Sequence, residues 1–180
     1  MKFVFTKTKI PGLVIVEPEV GSDERGSYSE SYKASEFLKA GIKDVFVQEN
    51  RSISRRGVLR GLHYQRAPYG QAKLVRCGRG SMFEAVADLR PGSRTFGHTF
   101  AIELSDANGL MLYVPAGFAH GFYIINDGTE VIYKCSKEYN AGHAAGLRWN
   151  DPDLKIKWPT KSPILSEKDK ALPFLKDIVK

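Results

Sequence analysis

Short apolar segments recur along the whole chain, separated by Gly, Pro, Asn and Asp. Most run for roughly four to nine residues, which suits β-strands and is short for helices. Many short strands with turn residues between them are typical of an all-β sandwich or barrel. The predicted strands span residues 13–16, 27–32, 45–52, 58–64, 72–77, 81–89, 96–104, 110–114, 120–125 and 131–137.

Alternation along these strands assigns residues to faces, because successive side chains point to opposite sides of a sheet. In each of three predicted strands, alternate residues share one face of that strand. These sets are Val131, Tyr133 and Cys135; Lys73, Val75 and Cys77; and Met82, Glu84, Val86 and Asp88. Tyr133 and Lys73 are therefore expected to point the same way as their apolar neighbours.

Helix is scarce in this pattern. Residues 33–40 are expected to form one short helix that ends near Gly41, and residues 166–172 another with Ser166 as its N-cap. The C-terminal portion is rich in Pro, Lys and Asp, which favours an irregular extension packed on the surface. No repeat or linker is visible, so residues 1–180 are expected to form a single domain.

Composition narrows the class of protein. Apolar residues make up 42% of the chain, and no segment approaches the roughly 18 apolar residues of a membrane span. The N-terminus lacks the apolar run and cleavage site of a signal peptide. Cys77 and Cys135 lie inside apolar segments without CxxC spacing, so we expect reduced core cysteines in a cytoplasmic protein with no membrane partner.

The net charge of +7 raises the question of nucleic-acid binding. The basic residues are spread along the chain, and no recognition helix, zinc finger or aromatic RNA-binding pattern accompanies them. We therefore expect no nucleic-acid partner, and we note that this charge suits a small diphosphate ligand.

Residues 57–65, GVLRGLHYQ, form an apolar predicted strand that contains Arg60 and His63. Burying either side chain without a partner would cost several kcal/mol, so we expect both to face a polar cavity; a solvated edge strand is the alternative. In a regular strand these two residues face opposite sides. If both line one cavity, Gly61 should mark a bulge or sharp twist; otherwise Arg60 reaches another region of the ligand, in a dimer partner.

Residues 115–120, PAGFAH, resemble the second motif of cupin proteins, PxGxxH. Metal-binding cupins also carry an HxH pair with a nearby Glu, and here that position reads His63-Tyr64-Gln65 without the second histidine. Two imidazoles without a well-placed carboxylate make a poor transition-metal site. We therefore expect a metal-free cupin barrel.

Taken together, these segments resemble the dTDP-4-dehydrorhamnose 3,5-epimerases, from about residue 5 to residue 175. The most specific matches are GVLRGLHYQ at 57–65 and PAGFAHGF at 115–122. Further matches cover residues 23–30, 46–52, 71–76, 87–90, 95–97, 133–135, 149–152 and 165–169.

This resemblance implies an all-β, cupin-type jelly-roll barrel that forms a homodimer and uses neither metal nor cofactor. It implies epimerisation at C3 and C5 of a nucleotide-activated 4-keto-6-deoxy sugar, from dTDP-4-dehydro-6-deoxy-D-glucose to dTDP-4-dehydro-L-rhamnose. His63 would be the base, Asp169 its partner, Tyr133 the proton donor on the opposite face, and Lys73 a neighbour of the C4 oxygen. The matching substrate-binding positions are Arg25, Glu30, Gln48, Asn50, Arg60, His120 and Tyr139.

These residue types suit the chemistry. A proton beside a ketone is weakly acidic, so the enolate oxygen needs a fixed cation such as Lys73. Imidazole titrates near neutral pH and can take a carbon-bound proton, while a carboxylate orients the ring. Arginine side chains such as those of Arg25 and Arg60 can bind a diphosphate bidentately.

Three alternatives remain at this point. The protein could epimerise a related sugar at a single carbon, which the pair of His63 and Tyr133 does not distinguish from double epimerisation. It could be a non-catalytic sugar-binding cupin, although base, carboxylate, lysine and tyrosine occur together. A metal-dependent oxygenase lacks the ligands it would need.

The sequence departs from the family pattern at three positions. Glu84 stands where many members have Asp, Ala144 where many have Glu, and Lys170 where Arg is common. The Ala144 side chain cannot hydrogen-bond to a ligand, which bears on the identity of the nucleotide or sugar rather than on the proton chemistry.

Overall fold

A computed structural model describes residues 1–178 of the chain. The strands are β1 (Phe3–Lys7), β2 (Val14–Pro18), β3 (Val20–Asp23), β4 (Gly26–Ser29), β5 (Gln48–Ser54), β6 (Leu59–Gln65), β7 (Lys73–Arg79), β8 (Ser81–Asp88), β9 (Thr99–Ser105), β10 (Met111–Val114), β11 (Phe118–Ile124), β12 (Thr129–Cys135) and β13 (Ala144–Gly146). The helices are α1 (Ala34–Lys39), α2 (Glu167–Lys170) and α3 (Leu175–Ile178). In the part of the chain described, no helix is long and apolar enough to cross a membrane.

The strands form two antiparallel sheets and a separate hairpin. One sheet has six strands in the order β1-β2-β10-β7-β12-β5, and the other has five in the order β13-β6-β11-β8-β9. The hairpin pairs β3 with β4. Apart from the pairs β1–β2 and β8–β9, neighbouring strands in each sheet are not consecutive in sequence, as in a jelly roll. The predicted all-β cupin-type barrel is confirmed.

The main core lies between the two sheets and follows the predicted faces. Val75 and Cys77 of β7, Met82 and Val86 of β8, and Val131 of β12 all belong to it. Tyr133 packs against this core from the same strand face as Val131. The alternation therefore correctly predicted that the faces of Lys73 and Tyr133 point inward.

Two further apolar clusters cover the outer faces of the sheets. Phe37 of α1 packs on the outer side of the six-stranded sheet, next to Leu74 and Met111. The C-terminal extension covers the five-stranded sheet with Leu154 and Leu175. Each sheet is thus buried on both sides over part of its area, and β8, β10 and β11 are buried along nearly their whole length.

Buried Asp151 ties down the C-terminal extension. Its Oδ1 accepts hydrogen bonds from the backbone N–H groups of Asp153 and Leu154, and its Oδ2 accepts one from Leu175 at 2.5 Å. Up to residue 178, the extension contains the short helices α2 and α3 and a single bridge from Ile164 to Val58, and it otherwise follows an irregular path, as predicted.

Some elements were not predicted. β1, β3, β13 and α3 are short, and β13 reads Ala-Ala-Gly, without the β-branched or aromatic residues that identify a strand. The two predicted helices are present in slightly shorter form, and the Ser166 side chain caps α2 by accepting a hydrogen bond from the Asp169 N–H at 3.1 Å.

A bulge at Gly61 brings Arg60 and His63 to the same side of β6. His63 lies opposite His120, and Arg60 lies opposite Phe122, so two residues of β6 face one residue of β11. Gly61 has a φ of 127°, and a Cβ there would lie 2.5 Å from the Cα of Gly121. The predicted bulge is confirmed, and its physical reason is that only glycine permits this approach.

Candidate active site

A cavity of about 310 Å³ opens between the two sheets. Most of the predicted site residues line this cavity, and they come from both sheets and from the C-terminal extension. The five-stranded sheet provides Arg60, His63 and His120, the six-stranded sheet provides Gln48, Asn50, Lys73 and Tyr133, and Tyr139 and Asp169 come from loop and α2.

Arg25 and Glu30 lie elsewhere. Arg25 is in the turn of the β3–β4 hairpin, where its guanidinium contacts Asp23 at 2.5 Å and its side chain is 85% exposed. Glu30 follows β4 and pairs with Lys33 at 3.4 Å. Within residues 1–178 of this one chain, neither side chain lines the cavity.

His63 and Asp169 form a hydrogen-bonded pair at the cavity wall. His63 Nε2 lies 2.5 Å from Asp169 Oδ1, although the two residues are far apart in sequence. The Asp169 side chain is buried, while that of His63 is 41% exposed toward the cavity. The carboxylate engages Nε2, which leaves Nδ1 as the nitrogen that can exchange a proton with a ligand.

The environment of Asp169 keeps its carboxylate ionised. Burial alone would raise its pKa, but hydrogen bonds from His63, Ser166 and the Gly61 backbone, together with the charge of His63, lower the pKa below its usual value. An ionised carboxylate can hold the imidazole ring and stabilise its protonated form.

Lys73 carries its ammonium group into the inner part of the cavity. The residue is only 7% exposed. Burial lowers its pKa to about 8, and the nearby Cys135 and Glu84 partly oppose this shift. The side chain is therefore a weakly hydrated cation near neutral pH, which suits the stabilisation of a developing negative charge.

A second histidine–carboxylate pair lies deeper in the five-stranded sheet. His120 Nδ1 is 2.8 Å from Glu84 Oε1, and both residues are buried. Burial raises the pKa of Glu84 well above its usual value and lowers that of His120 well below. The two groups therefore form a neutral pair, and Glu84 Oε2 is buried without a hydrogen-bond partner among the residues described.

Tyr133 stands on the sheet opposite His63. It belongs to β12 of the six-stranded sheet, whereas His63 belongs to β6 of the five-stranded sheet, and both line the cavity. Burial raises the pKa of Tyr133, with a smaller contribution from nearby Cys135. A neutral hydroxyl thus faces the imidazole from the other side of the space between the sheets.

Amide side chains connect β5 to the loop after β12. Gln48 Nε2 donates to Asn50 Oδ1 at 3.0 Å, and Gln48 Oε1 accepts from the backbone N–H of Tyr139 at 2.7 Å. Asn50 Nδ2 donates to the sulfur of Cys135 at 3.7 Å. These bonds fix the polar rim of the cavity beside the exposed ring of Tyr139.

Comparison with known proteins identifies this arrangement. The sequence profile of a family described as dTDP-4-dehydrorhamnose 3,5-epimerase matches residues 7–177. The chain belongs to the dTDP-4-dehydrorhamnose 3,5-epimerase family. It is an isomerase, and the family resemblance inferred from the sequence motifs is confirmed.

Several members of the epimerase family are similar over nearly the whole chain. The dTDP-4-dehydrorhamnose 3,5-epimerase of Shigella flexneri is 46% identical over 164 residues, which is 91% of each chain. The crystal structure of the Elizabethkingia anophelis enzyme superposes with a TM-score of 0.95 at 42% identity, covering 99% of both chains. A Legionella pneumophila 3,5-epimerase in complex with dTDP-4-keto-L-rhamnose has a TM-score of 0.94 at 40% identity, covering 98% of this chain and 95% of that one.

The cavity is also lined by residues that the sequence analysis did not assign to the site. Ser52, Gln65, Phe122, Ala145, Ser166 and Lys168 also line it. Buried Gln65 holds the loop that carries Tyr139, because its Nε2 donates to the Tyr69 carbonyl at 2.7 Å and its Oε1 accepts from the Asn140 N–H at 2.6 Å. The position of this glutamine at the end of an apolar strand is the sequence feature that could have identified it as a site residue.

Arg60 and Ala144 complete the description of the cavity wall. Arg60 donates from Nη2 to Ser54 Oγ at 3.1 Å, which directs its guanidinium toward the end of β5 in the opposite sheet. Ala144 lines the cavity at the start of β13, so the departure from the family pattern falls on the ligand-facing surface. In the part of the chain described, no three His, Cys, Asp or Glu side chains are grouped as a metal site.

Proposed function

We propose that this protein epimerises dTDP-4-dehydro-6-deoxy-D-glucose at C3 and C5 to give dTDP-4-dehydro-L-rhamnose, with His63, Asp169, Lys73 and Tyr133 as its catalytic residues. The function agrees with the family and with the relatives of that name. The observation that carries the residue roles is the placement of His63 and Tyr133 on opposite sheets of one cavity. Inversion at carbon needs proton removal on one face and proton delivery on the other, and this pair provides both.

His63 is the base in this proposal. Its Nδ1 takes the proton from the carbon next to the C4 ketone, while Nε2 keeps its hydrogen bond to ionised Asp169. The electron pair of the broken C–H bond moves to the C4 oxygen and forms an enolate. Because His63 is partly exposed, it can then release the proton to solvent before the second carbon reacts.

Lys73 stabilises the enolate oxygen. Its buried ammonium is poorly hydrated, so its attraction to the new negative charge is stronger than in water, and little reorganisation is needed. C3 and C5 both flank C4, so one cation can serve both deprotonations if the sugar turns between them.

Tyr133 delivers the proton from the opposite face. When the enolate collapses, its electron pair takes the hydroxyl proton of Tyr133, and solvent restores that proton. A raised pKa keeps Tyr133 protonated at neutral pH, so it is available as a donor.

Arg60, Gln48, Asn50, His120 and Tyr139 bind the substrate in this proposal. Arg60 provides a fixed guanidinium for the diphosphate. The amides of Gln48 and Asn50 can hydrogen-bond to hydroxyl or phosphate oxygens, and His120 presents a neutral ring.

Arg25 and Glu30 complete the site from a second subunit. The hairpin that leads to them is exposed along both strands and includes Tyr28 at 67% exposure. A two-stranded hairpin gains little stability on its own, so a homodimer that covers it would stabilise it and could bring both side chains to the partner's cavity. Sedimentation tests the dimer, and mixing inactive Arg25→Ala with inactive His63→Ala protein tests the shared site, since mixed dimers would regain activity.

We further propose one domain for the whole chain and a cytoplasmic location. The two cysteines are free and buried, which suits a reducing compartment. The three apolar clusters are all built on the same two sheets, which suits a single folding unit.

Proton NMR of dTDP-4-keto-6-deoxyglucose with the protein in heavy water tests the function. Deuterium entering at both C3 and C5 supports double epimerisation, and entry at one carbon would make the protein a single-site epimerase. The absence of exchange would contradict the substrate assignment and point first to Ala144. Tyr133→Phe should reduce product more than exchange, because it removes only the opposing donor.

A further inference from the structure

One arginine ties the segment that carries Asp169 to the strand beside His63. The Arg148 Nε donates to the Leu172 carbonyl at 3.2 Å, and its Nη2 donates to the Lys170 carbonyl at 3.0 Å. The Arg148 backbone N–H donates to the Pro173 carbonyl at 2.8 Å. Three N–H groups of Arg148 thus donate to backbone carbonyls at the end of α2 and directly after it.

Helix α2 depends on contacts at both of its ends. It has only four residues, and an isolated helix of this length is not stable in water. Ser166 satisfies the N–H of Asp169 at the start of the helix. At the other end, the Arg148 guanidinium donates to the carbonyl of Lys170, the last residue of the helix, and to the carbonyl of Leu172 just beyond it.

The other side of Arg148 is continuous with the catalytic strand. Leu147 exchanges two backbone hydrogen bonds with Leu62, at 2.9 and 3.0 Å, directly before His63. Gly146 lies opposite His63, and its missing side chain lets Leu172 pack there, since a Cβ would lie 2.8 Å from Leu172 Cδ1. Arg148 therefore connects the backbone next to His63 with the backbone next to Asp169.

We propose that Arg148 is a positioning residue of the epimerase, which holds Asp169 at hydrogen-bond distance from His63 by fixing the chain that leaves α2. Arg148 does not line the cavity and acts through Asp169. This inference rests on the proposed role of the His63–Asp169 pair. A purely structural role would instead affect stability without affecting that pair selectively.

Arg148→Met tests the proposal with a side chain of similar length and no donors. We expect kcat to fall about tenfold with KM within about twofold, because a misplaced orienting group weakens transition-state stabilisation more than binding. Arg148→Lys keeps the charge but not the two-carbonyl fork, and should recover part of kcat. The downfield proton resonance of the His63–Asp169 hydrogen bond should broaden or vanish in Arg148→Met.

A double-mutant cycle with Asp169→Asn separates the possible results. If Arg148 acts through Asp169, adding Arg148→Met to Asp169→Asn should reduce kcat by less than about twofold further. A further tenfold loss of kcat in the double variant would overturn the positioning role of Arg148. It would not contradict the proposed role of the His63–Asp169 pair. If Asp169→Asn alone has no effect, the proposed function of the pair fails instead.

Asp151→Asn provides the matched control. It removes the anchor at Leu175 in the same extension, beyond α2. We expect a lower melting temperature with kcat within about twofold of wild type. An equal fall in kcat in Asp151→Asn would show that Arg148 only stabilises the extension. An unchanged His63–Asp169 proton resonance in Arg148→Met would show the same.

Discussion

The protein places two histidine–carboxylate pairs in one small region, and the pairs differ in their exposure to solvent. His63 and Asp169 lie 2.5 Å apart at the wall of the cavity, with the His63 side chain 41% exposed. His120 and Glu84 lie 2.8 Å apart, with side-chain exposures of 5% and 0%. Residue types and hydrogen-bond distances are similar, so the environment accounts for the difference in chemistry.

The carboxylate of the partly exposed pair is held in its ionised form, whereas burial favours the neutral forms of the second pair. Hydrogen bonds and the neighbouring imidazole outweigh burial at Asp169 and lower its pKa. At Glu84 burial prevails and raises the pKa, and burial lowers the pKa of His120. The comparison indicates that a histidine–carboxylate pair becomes a base only where solvent or hydrogen bonds support its charged form.

The largest expected effect comes from His63→Ala. We expect turnover and deuterium exchange to fall by about 10³-fold or more, because general-base catalysis contributes about 10²–10⁴-fold. His120, which also lines the cavity, is a poor substitute because burial lowers its pKa. Proton NMR in heavy water measures the loss. A melting temperature and a dTDP affinity near those of wild type would serve as controls, and substantial residual exchange would contradict the base assignment.

Acid-to-amide substitution at the exposed pair should have the next largest effect. Asp169→Asn keeps the size of the side chain but removes the charge that stabilises protonated His63, so we expect kcat to fall about 10²-fold. Steady-state kinetics measure this loss, and an unchanged kcat would remove Asp169 from the mechanism.

Lys73 should determine the alkaline limit of activity. The Lys73 amine must be protonated to stabilise the enolate, and burial lowers its pKa to about 8. Activity is therefore present below that value and is lost as the pH rises through it. We expect kcat/KM to fall about tenfold per pH unit above about 8. In Lys73→Arg this limb should shift upward or disappear, and a limb that stays in place would assign it to another group.

The smallest effect is expected from the same type of substitution at the buried pair. Glu84→Gln replaces a neutral carboxyl with a neutral amide that can still hydrogen-bond to His120, so we expect kcat and stability within about threefold and about 1 kcal/mol of wild type. If the pair were ionised, the substitution would leave a buried imidazolium unpaired at a cost of about 3–5 kcal/mol. Thermal and chemical unfolding distinguish these outcomes.

Local patterns predicted much of the fold. Alternation correctly assigned Val75, Val131 and Tyr133 to the inner faces of their strands, because burial between two sheets imposes a period of two. Ser166 was recognised as an N-cap from its own residue type, and Gly61 as a bulge from the odd spacing of Arg60 and His63. Each of these signals acts over a few residues.

Sequence patterns did not predict the elements and contacts that depend on distant parts of the chain. β13 reads Ala-Ala-Gly and is a strand only because Gln65, Tyr64 and His63 pair with it. The hydrogen bonds of Arg148 to the chain after α2 were not anticipated either. No local propensity encodes such contacts, since they exist only after the sheets have formed.

The sequence by itself determined the fold class, the family and the residue types of the candidate site, because apolar alternation and motif spacing are properties of the chain. The family resemblance implied that Asp169 pairs with His63 and that Tyr133 acts from the opposite face. Only the tertiary structure decided that Arg25 lies on an exposed hairpin and that a second, buried pair joins His120 to Glu84. It also decided that burial favours the neutral forms of Glu84 and His120, while hydrogen bonds favour the ionised form of Asp169. Proton affinity depends on burial and on neighbours brought together from distant segments, and that environment is created by packing.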